Sequence, residues 1–236
     1  MRRLMLILPA ALLLIAGLGF GAAWTAHRLH WLAPGDDPWG RLDLDAAPGW
    51  FTRSQLLALT EDPVACFATL RAGHVAFEAI PDEPIVEGCG FADALRYAGE
   101  KARFKAPVVL TCAMTAAYVL FERQVLQPAA ERELRSRITA VEDWGTYNCR
   151  NIGREEGRRR SEHAKANAID LAGFTTASGR RVTITADWGK GDAAGRFLLA
   201  LRDGACHWFK VVLGPDHDPT HHDHLHLDMG PFGACR

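Results

Sequence analysis

His224-Leu225-His226-Leu227-Asp228-Met229 alternates polar and apolar residues without a break. Side chains alternate faces along a strand, so His224, His226 and Asp228 share one face while Leu225, Leu227 and Met229 enter a core. Ala168-Ile169-Asp170-Leu171 repeats the pattern, with Ile169 and Leu171 inward and Asp170 on the opposite face. Pairing the two runs lets Asp170 and His226 converge, and His163, on the loop leading into the first strand, can complete a His-Asp-His set. Two imidazoles and a carboxylate suit a borderline-soft divalent cation such as zinc. Three protein ligands from two strands and a loop would leave a fourth position for water, facing a groove.

Working outward, five of the ten histidines fall between His217 and His226. His217 and His222 read as exposed loop positions and His207 as structural. A histidine-rich tract is also the composition of a flexible metal-buffering tail, but the Leu225-Leu227-Met229 alternation and the nearby Cys235 argue for order. A two-His-one-carboxylate set also matches non-haem iron oxygenases; those need an oxidisable metal and a co-substrate that an exported compartment rarely supplies.

Around these runs, Ile138 to Val141 reads as a strand and Trp144 to Arg150 as a loop leaving it. Ala168 to Thr175 and Arg181 to Ala186 are β-rich, separated by the hairpin signature Ala177-Ser178-Gly179-Arg180. Asp192 to Asp203 is an amphipathic helix with Phe197, Leu198 and Leu201 on one face and Gly204 as its stop. Trp208 to Leu213 is a further strand. In the first half, Pro63 to Leu70 reads as a short helix and Pro81 to Phe91 as turn-rich. Leu110 to Phe121, apolar on most faces, reads as a buried helix continuing or kinking into Pro128 to Arg137. The expected class is α+β, a small antiparallel sheet with helices packed mainly on one side.

The 236 residues, 48% hydrophobic, suffice for one core and a tail. Arg2 and Arg3 precede Leu4 to Trp24, a stretch without a charged residue. As a helix it would span about 30 Å, roughly one hydrocarbon core. The expected layout is residues 1–3 in the cytoplasm, 4–24 a transmembrane signal-anchor in the inner membrane, 25–60 a proline-bearing linker, and 61–236 a folded domain facing the periplasm. The alternative is a signal peptide cleaved after Gly21-Ala22-Ala23, which would leave the domain secreted to the periplasm. A net charge of −1 provides no field to draw nucleic acid. The six widely spaced cysteines, with no Cys-x-x-Cys, suit an oxidising compartment and three disulfides. Sequential pairing is expected, Cys66–Cys89, Cys112–Cys149 and Cys206–Cys235, because near neighbours in sequence most easily meet. Arg150, Arg154, Arg158, Arg159 and Arg160 oppose only Glu155 and Glu156 in their loop. That is either a solvated surface loop or an electropositive rim for acidic peptide stems or anionic wall polymers.

Ser161-Glu162-His163-Ala164-Lys165-Ala166-Asn167-Ala168-Ile169-Asp170 resembles the Ser-x-His-x-x-Gly-x-Ala-x-Asp motif of the LAS metallopeptidases, which include D-alanyl-D-alanine carboxypeptidases and the penicillin-insensitive murein endopeptidase. His224-Leu225-His226 resembles their closing His-x-His. From about Cys66 to Arg236 the chain is similar to the bacterial extensin-like C-terminal family. The landmarks are Tyr147-x-Cys149-Arg150, the Ser161 to Asp170 block, Asp187-Trp188, Gly214-Pro215-Asp216 and His221-x-Asp223-His224-x-His226-x-Asp228. The resemblance implies a LAS-like fold holding one zinc per chain on His163, Asp170 and His226. It further implies a zinc metallopeptidase cutting peptidoglycan peptides at a bond involving D-alanine or a cross-link. In that reading Arg150 and Ser161 contact substrate, His224 with His221 accepts the water's proton or stabilises the oxyanion, and Asp228 orients a ligand histidine. Two departures stand out. No glutamate precedes the last ligand, where many LAS enzymes carry their base, and the motif glycine is Ala166. If that position needs a positive φ, alanine costs roughly 1 kcal/mol. These departures leave open a wall-binding or regulatory module that keeps the metal without hydrolysis.

Overall fold

The computed structural model describes the backbone from Arg2 and the side chains from Ala11 to Arg236. The chain divides into two compact units, Met1–Gln55 and Leu56–Arg236. In the first unit, helix α1 covers Arg2–Arg28 and so includes the expected anchor. Residues 4–10 of that anchor lie outside the described side chains, and among the described residues no helix is long and apolar enough to cross a membrane. The proline-bearing stretch after it is held by its own contacts: His27 Nδ1 lies 2.7 Å from Asp37 Oδ2, and Trp39 packs edge-on against Trp24 at 5.2 Å. Helix α2 follows at Thr52–Ala58.

The second unit begins with α3, Pro63–Ala72, which carries proline at its first position and is capped by Asp62 accepting the Ala65 N–H at 2.9 Å. Strands β1 (Phe77–Ala79), β2 (Glu83–Val86), β3 (Cys89–Phe91), β4 (Ala94–Tyr97), β5 (Arg103–Phe104) and β6 (Val108–Thr111) come next. The apolar run expected as one helix from Leu110 is therefore divided. Leu110 ends up in β6, and Thr111 caps α4, Cys112–Phe121, by accepting the Met114 N–H at 3.3 Å. All ten residues of α4 are buried. It continues through a wide-turned segment, Glu122–Leu126, into α5, Gln127–Ala129, where Pro128 has no N–H to give, and stops at Arg135 with φ 54°.

The remaining elements are β7 (Ile138–Asp143), β8 (Ala168–Thr176), β9 (Arg181–Thr183), α6 (Ile184–Asp187), α7 (Ala193–Trp208), β10 (Val211–Leu213), β11 (Leu225–Asp228) and β12 (Ala234–Cys235). The run expected as strand to Ala186 breaks at Thr183, whose hydroxyl takes the Ala186 N–H and opens α6. Helix α7 does not stop at Gly204. It runs to Trp208, and the missing side chain instead admits Val125, since a Cβ at Gly204 would meet Val125 Cγ1 at 2.3 Å.

The class is α+β, but the sheet is neither small nor wholly antiparallel. Seven strands form the main sheet in the order β12-β10-β11-β8-β7-β5 with β9 on β8, and β10–β12 and β5–β7 pair in parallel. A second sheet, β1-β4-β6, and the hairpin β2–β3 complete the set. The register that matters is β11 on β8, antiparallel, with His226 opposite Asp170 and Leu227 opposite Ile169. Leu227 and Ile169 are both fully buried. Phe174 of β8 meets Phe197 of α7 edge-on at 5.4 Å, so α7 covers the sheet.

The disulfides correct the sequential pairing. Cys206–Cys235 forms as expected, but Cys66 joins Cys112 and Cys89 joins Cys149. Contact in space, not distance in sequence, decides the partners. The β2–β3 hairpin lies beside the loop after β7, where Phe91 meets Tyr147 at 5.1 Å and the Tyr147 hydroxyl donates to Glu83. Cys112 opens α4, which packs on α3.

Candidate metal centre

Three short segments deliver the site. At the end of β7, the Asp143 carboxylate accepts the Gly145 N–H at 3.1 Å, and Gly145 takes φ 108°, a conformation that favours glycine. That turn donates Trp144 N–H to the Asp170 carbonyl at 2.9 Å and brings the Thr146 carbonyl to His163 Nδ1 at 3.2 Å. The second segment is the turn Glu162–Lys165, capped by the Ser161 hydroxyl, which accepts the His163 N–H at 3.4 Å. Ala166 closes it at φ 53°, in the left-handed region. The third segment is β11 itself.

The outer hydrogen bonds settle which nitrogen of each histidine faces inward. A carbonyl can only accept, so His163 carries its proton on Nδ1 and presents a bare Nε2. Asp228 Oδ2 lies 2.9 Å from His226 Nε2, and this carboxylate likewise requires the proton there, leaving Nδ1 to face inward. His163 Nε2 then lies 3.1 Å from Asp170 Oδ1 and 3.1 Å from His226 Nδ1, which is 2.9 Å from Asp170 Oδ1. Three buried acceptors at that spacing repel unless a cation sits among them. They also match roughly the 3.3 Å edge of a tetrahedral site with 2.0–2.1 Å bonds, so the residues fit a divalent metal. Without one, a proton fills the role. Burial opposes charging His226, but its bonds to Asp170 and Asp228 outweigh that and push its pKa up to about 9. Burial likewise raises the Asp170 carboxyl, yet the bonds from His163 and His226 hold it well below the usual carboxylate range.

Around this core stand further imidazoles and an arginine. His224 Nε2 lies 3.6 Å from Asp170 Oδ1, and its Nδ1 pairs with Asp223 at 2.9 Å. The His221 ring lies 5.2 Å from that of His224 and 5.8 Å from that of His226, tilted to each, with Nδ1 held by Asp218 Oδ1 at 2.9 Å. Burial lowers the His221 pKa against the pull of Asp218. Arg150 Nη2 is 3.8 Å from Asp170 Oδ2. Trp144, 52% exposed, sets its ring 5.5 Å from that of His224.

The structure thus gathers His163, Asp170, His226, Asp228, His224, His221 and Arg150. Ser161 is buried, and its hydroxyl accepts the His163 N–H within the turn. His222 is exposed, and His217 pairs with Asp218 at 3.2 Å. Three contributors were not read from the sequence, Trp144, Thr146 and Asp218, and Asp223 stood there only as a landmark of the resemblance, with no role. The two aspartates were legible as carboxylates spaced to hold neighbouring imidazoles. Thr146 acts through its carbonyl, which no side-chain motif records.

No curated protein and no solved structure matches the chain. The family model described as extensin-like protein C-terminus matches residues 64–236, which hold every residue of the site. On that match, over well more than half its length, the chain belongs to the extensin-like C-terminal family.

Proposed function

We propose that the Leu56–Arg236 unit is a zinc-dependent peptidase of LAS type acting on peptidoglycan peptides at a D-alanine-containing stem or cross-link. The observation that carries this reading is the convergence of His163 Nε2, Asp170 Oδ1 and His226 Nδ1, with outer hydrogen bonds fixing both imidazoles, beside two further imidazoles. A bound zinc would supply polarisation of the scissile carbonyl and acidification of water toward a pKa of ~7. His221 and His224 each have Nδ1 held by a carboxylate, so Nε2 is the atom placed to take a proton from water and return it to the leaving amine. Arg150 would orient a substrate carboxylate or carbonyl over Asp170. One observation favours a non-catalytic wall-binding module instead. The carboxylates beside those two imidazoles, Asp218 and Asp223, are both engaged by histidines, so no carboxylate base stands free there.

The tether belongs to the same proposal. Leu12, Leu13, Leu14, Ile15 and Leu18 of α1 are exposed, as an inner-membrane anchor behind a positive N-terminus requires, with the domain in the periplasm. Mass spectrometry of muropeptides incubated with the zinc-loaded protein tests the chemistry. Shortened or uncrosslinked stems are expected, abolished by chelation and reduced about 10²-fold in His224→Ala with zinc retained. An unchanged muropeptide profile would leave the binding module as the function. Loss of zinc in His224→Ala would make that histidine a ligand.

A further inference from the structure

The segment from Arg150 to Arg160 doubles back on itself beside the metal centre. Ile152 N–H donates to Arg159 O and Ser161 N–H to Arg150 O, each at 3.0 Å, around an Asn151–Arg160 bridge. It carries five arginines and two glutamates in a chain of net charge −1, so its positive charge is local and not a reflection of composition. Its base is pinned. Arg160 donates through Nε to the Glu87 carbonyl at 2.8 Å and through Nη1 to Asn151 at 2.9 Å, and the Arg159 guanidinium stacks 3.9 Å over Phe232. Its tip is open. Arg154 and Arg158 are exposed, and Arg158 Nη1 meets Glu155 at 3.1 Å in a surface ion pair, which holds little energy and yields to a better anion. Arg150, at the start of the loop, lies 3.8 Å from Asp170.

We propose that this arginine hairpin is a docking surface for the carboxylate-bearing peptides of the cell wall, feeding them toward the metal centre at its Arg150 end. Guanidinium forks bind carboxylates in pairs of parallel hydrogen bonds, and a stem peptide bearing several carboxylates can engage Arg154 and Arg158 together. The surface is separate from the ligand cluster, and the proposal rests on the peptidoglycan reading only for the identity of the polymer.

The test is cosedimentation of the full chain, held in mild detergent, with purified sacculi over a salt series. Wild type is expected to bind with an affinity that falls as salt rises. Arg154→Glu/Arg158→Glu should weaken binding on the order of 10-fold or more and flatten the salt dependence. Arg154→Gln/Arg158→Gln should fall between, and both variants should keep their zinc content and melting temperature. Sacculi whose carboxyl groups have been amidated should lose wild-type binding to the same degree, whereas sacculi stripped of phosphate-bearing polymers should keep it. Undiminished binding by the charge-reversal variant, or to amidated sacculi, overturns the proposal, and dependence on the phosphate polymers reassigns the surface to them. Binding that follows this pattern without any cleavage would sink the peptidase reading and leave the docking surface standing.

Discussion

His226 turns Nε2 to the Asp228 carboxylate and Nδ1 to His163 and Asp170, and that asymmetry makes the cluster testable residue by residue. Replacing His163, Asp170 or His226 with alanine removes one of three donors and should strip most bound zinc, read by elemental analysis. Asp228→Ala should keep the ligand set but free the His226 ring, lowering zinc affinity about 10–100-fold. Full zinc in the first three variants would refute the site. The metal-free protein should also show a pH signature. The folded pKa of His226, about 9, stands above its unfolded value of roughly 6.5, so its bonds stabilise fully below pH ~6.5 and are lost as pH rises through 9. The difference amounts to about 3 kcal/mol, and urea titrations of chelated protein at pH 6 and pH 9.5 should resolve it. A bound zinc would take the place of that proton, so protein loaded with it should show a flatter profile over the same range. Ala166 shows a different balance: its left-handed φ costs about 1–2 kcal/mol. Its methyl is fully buried with Phe91 and Ala94, which recovers roughly 0.8 kcal/mol. The departure from glycine is therefore compatible with an intact turn.

Among elements, the loop after β7 meets the site through backbone groups and is tied down by a crosslink. Thr146, Trp144 and Asn148 all hold the cluster through backbone groups, and Cys149 anchors the same loop to β3. Cys89→Ser/Cys149→Ser should therefore weaken zinc binding, whereas Cys206→Ser/Cys235→Ser should lower stability with zinc affinity nearly intact. Equal zinc affinity in the two variants would count against the loop's role. The three crosslinks span 46, 60 and 29 residues, and loops of that size each stabilise by about 4 kcal/mol in the chain-entropy model. Against a total of about 5–15 kcal/mol, full reduction should lower the melting temperature by well over ten degrees. At the α7 crossing, Gly204→Ala drives a methyl into Val125 and should cost about 1–3 kcal/mol, measurable by thermal melting.

At the scale of the molecule, the described fold divides after Gln55, and every group of the metal centre lies in the second unit. A chain beginning at Leu56 is expected to carry zinc and remain in the soluble fraction, while the full chain sediments with membranes and resists carbonate extraction. Full-length protein in the soluble fraction without loss of its N-terminus would end the anchor proposal.

What the sequence determined by itself were the features set by local periodicity and donor chemistry. The alternation around Ile169 and Leu227 places their neighbours Asp170 and His226 on one face, and the pairing of those two runs follows from burying the apolar partners. The class, α+β, and the presence of helices α3, α4 and α7 follow from the same periodicities. Only the tertiary structure decided the rest, because it depends on contacts between segments distant in the chain. Cys89 finds Cys149 because a hairpin packs on the β7 loop, and Gly204 lies inside its helix at a point where Val125 fills the space a side chain would take. Leu110 is strand because β4 offers it a partner. The inward nitrogen of His163 is chosen by the Thr146 carbonyl, a backbone atom that every residue type shares and that only the folded chain can aim.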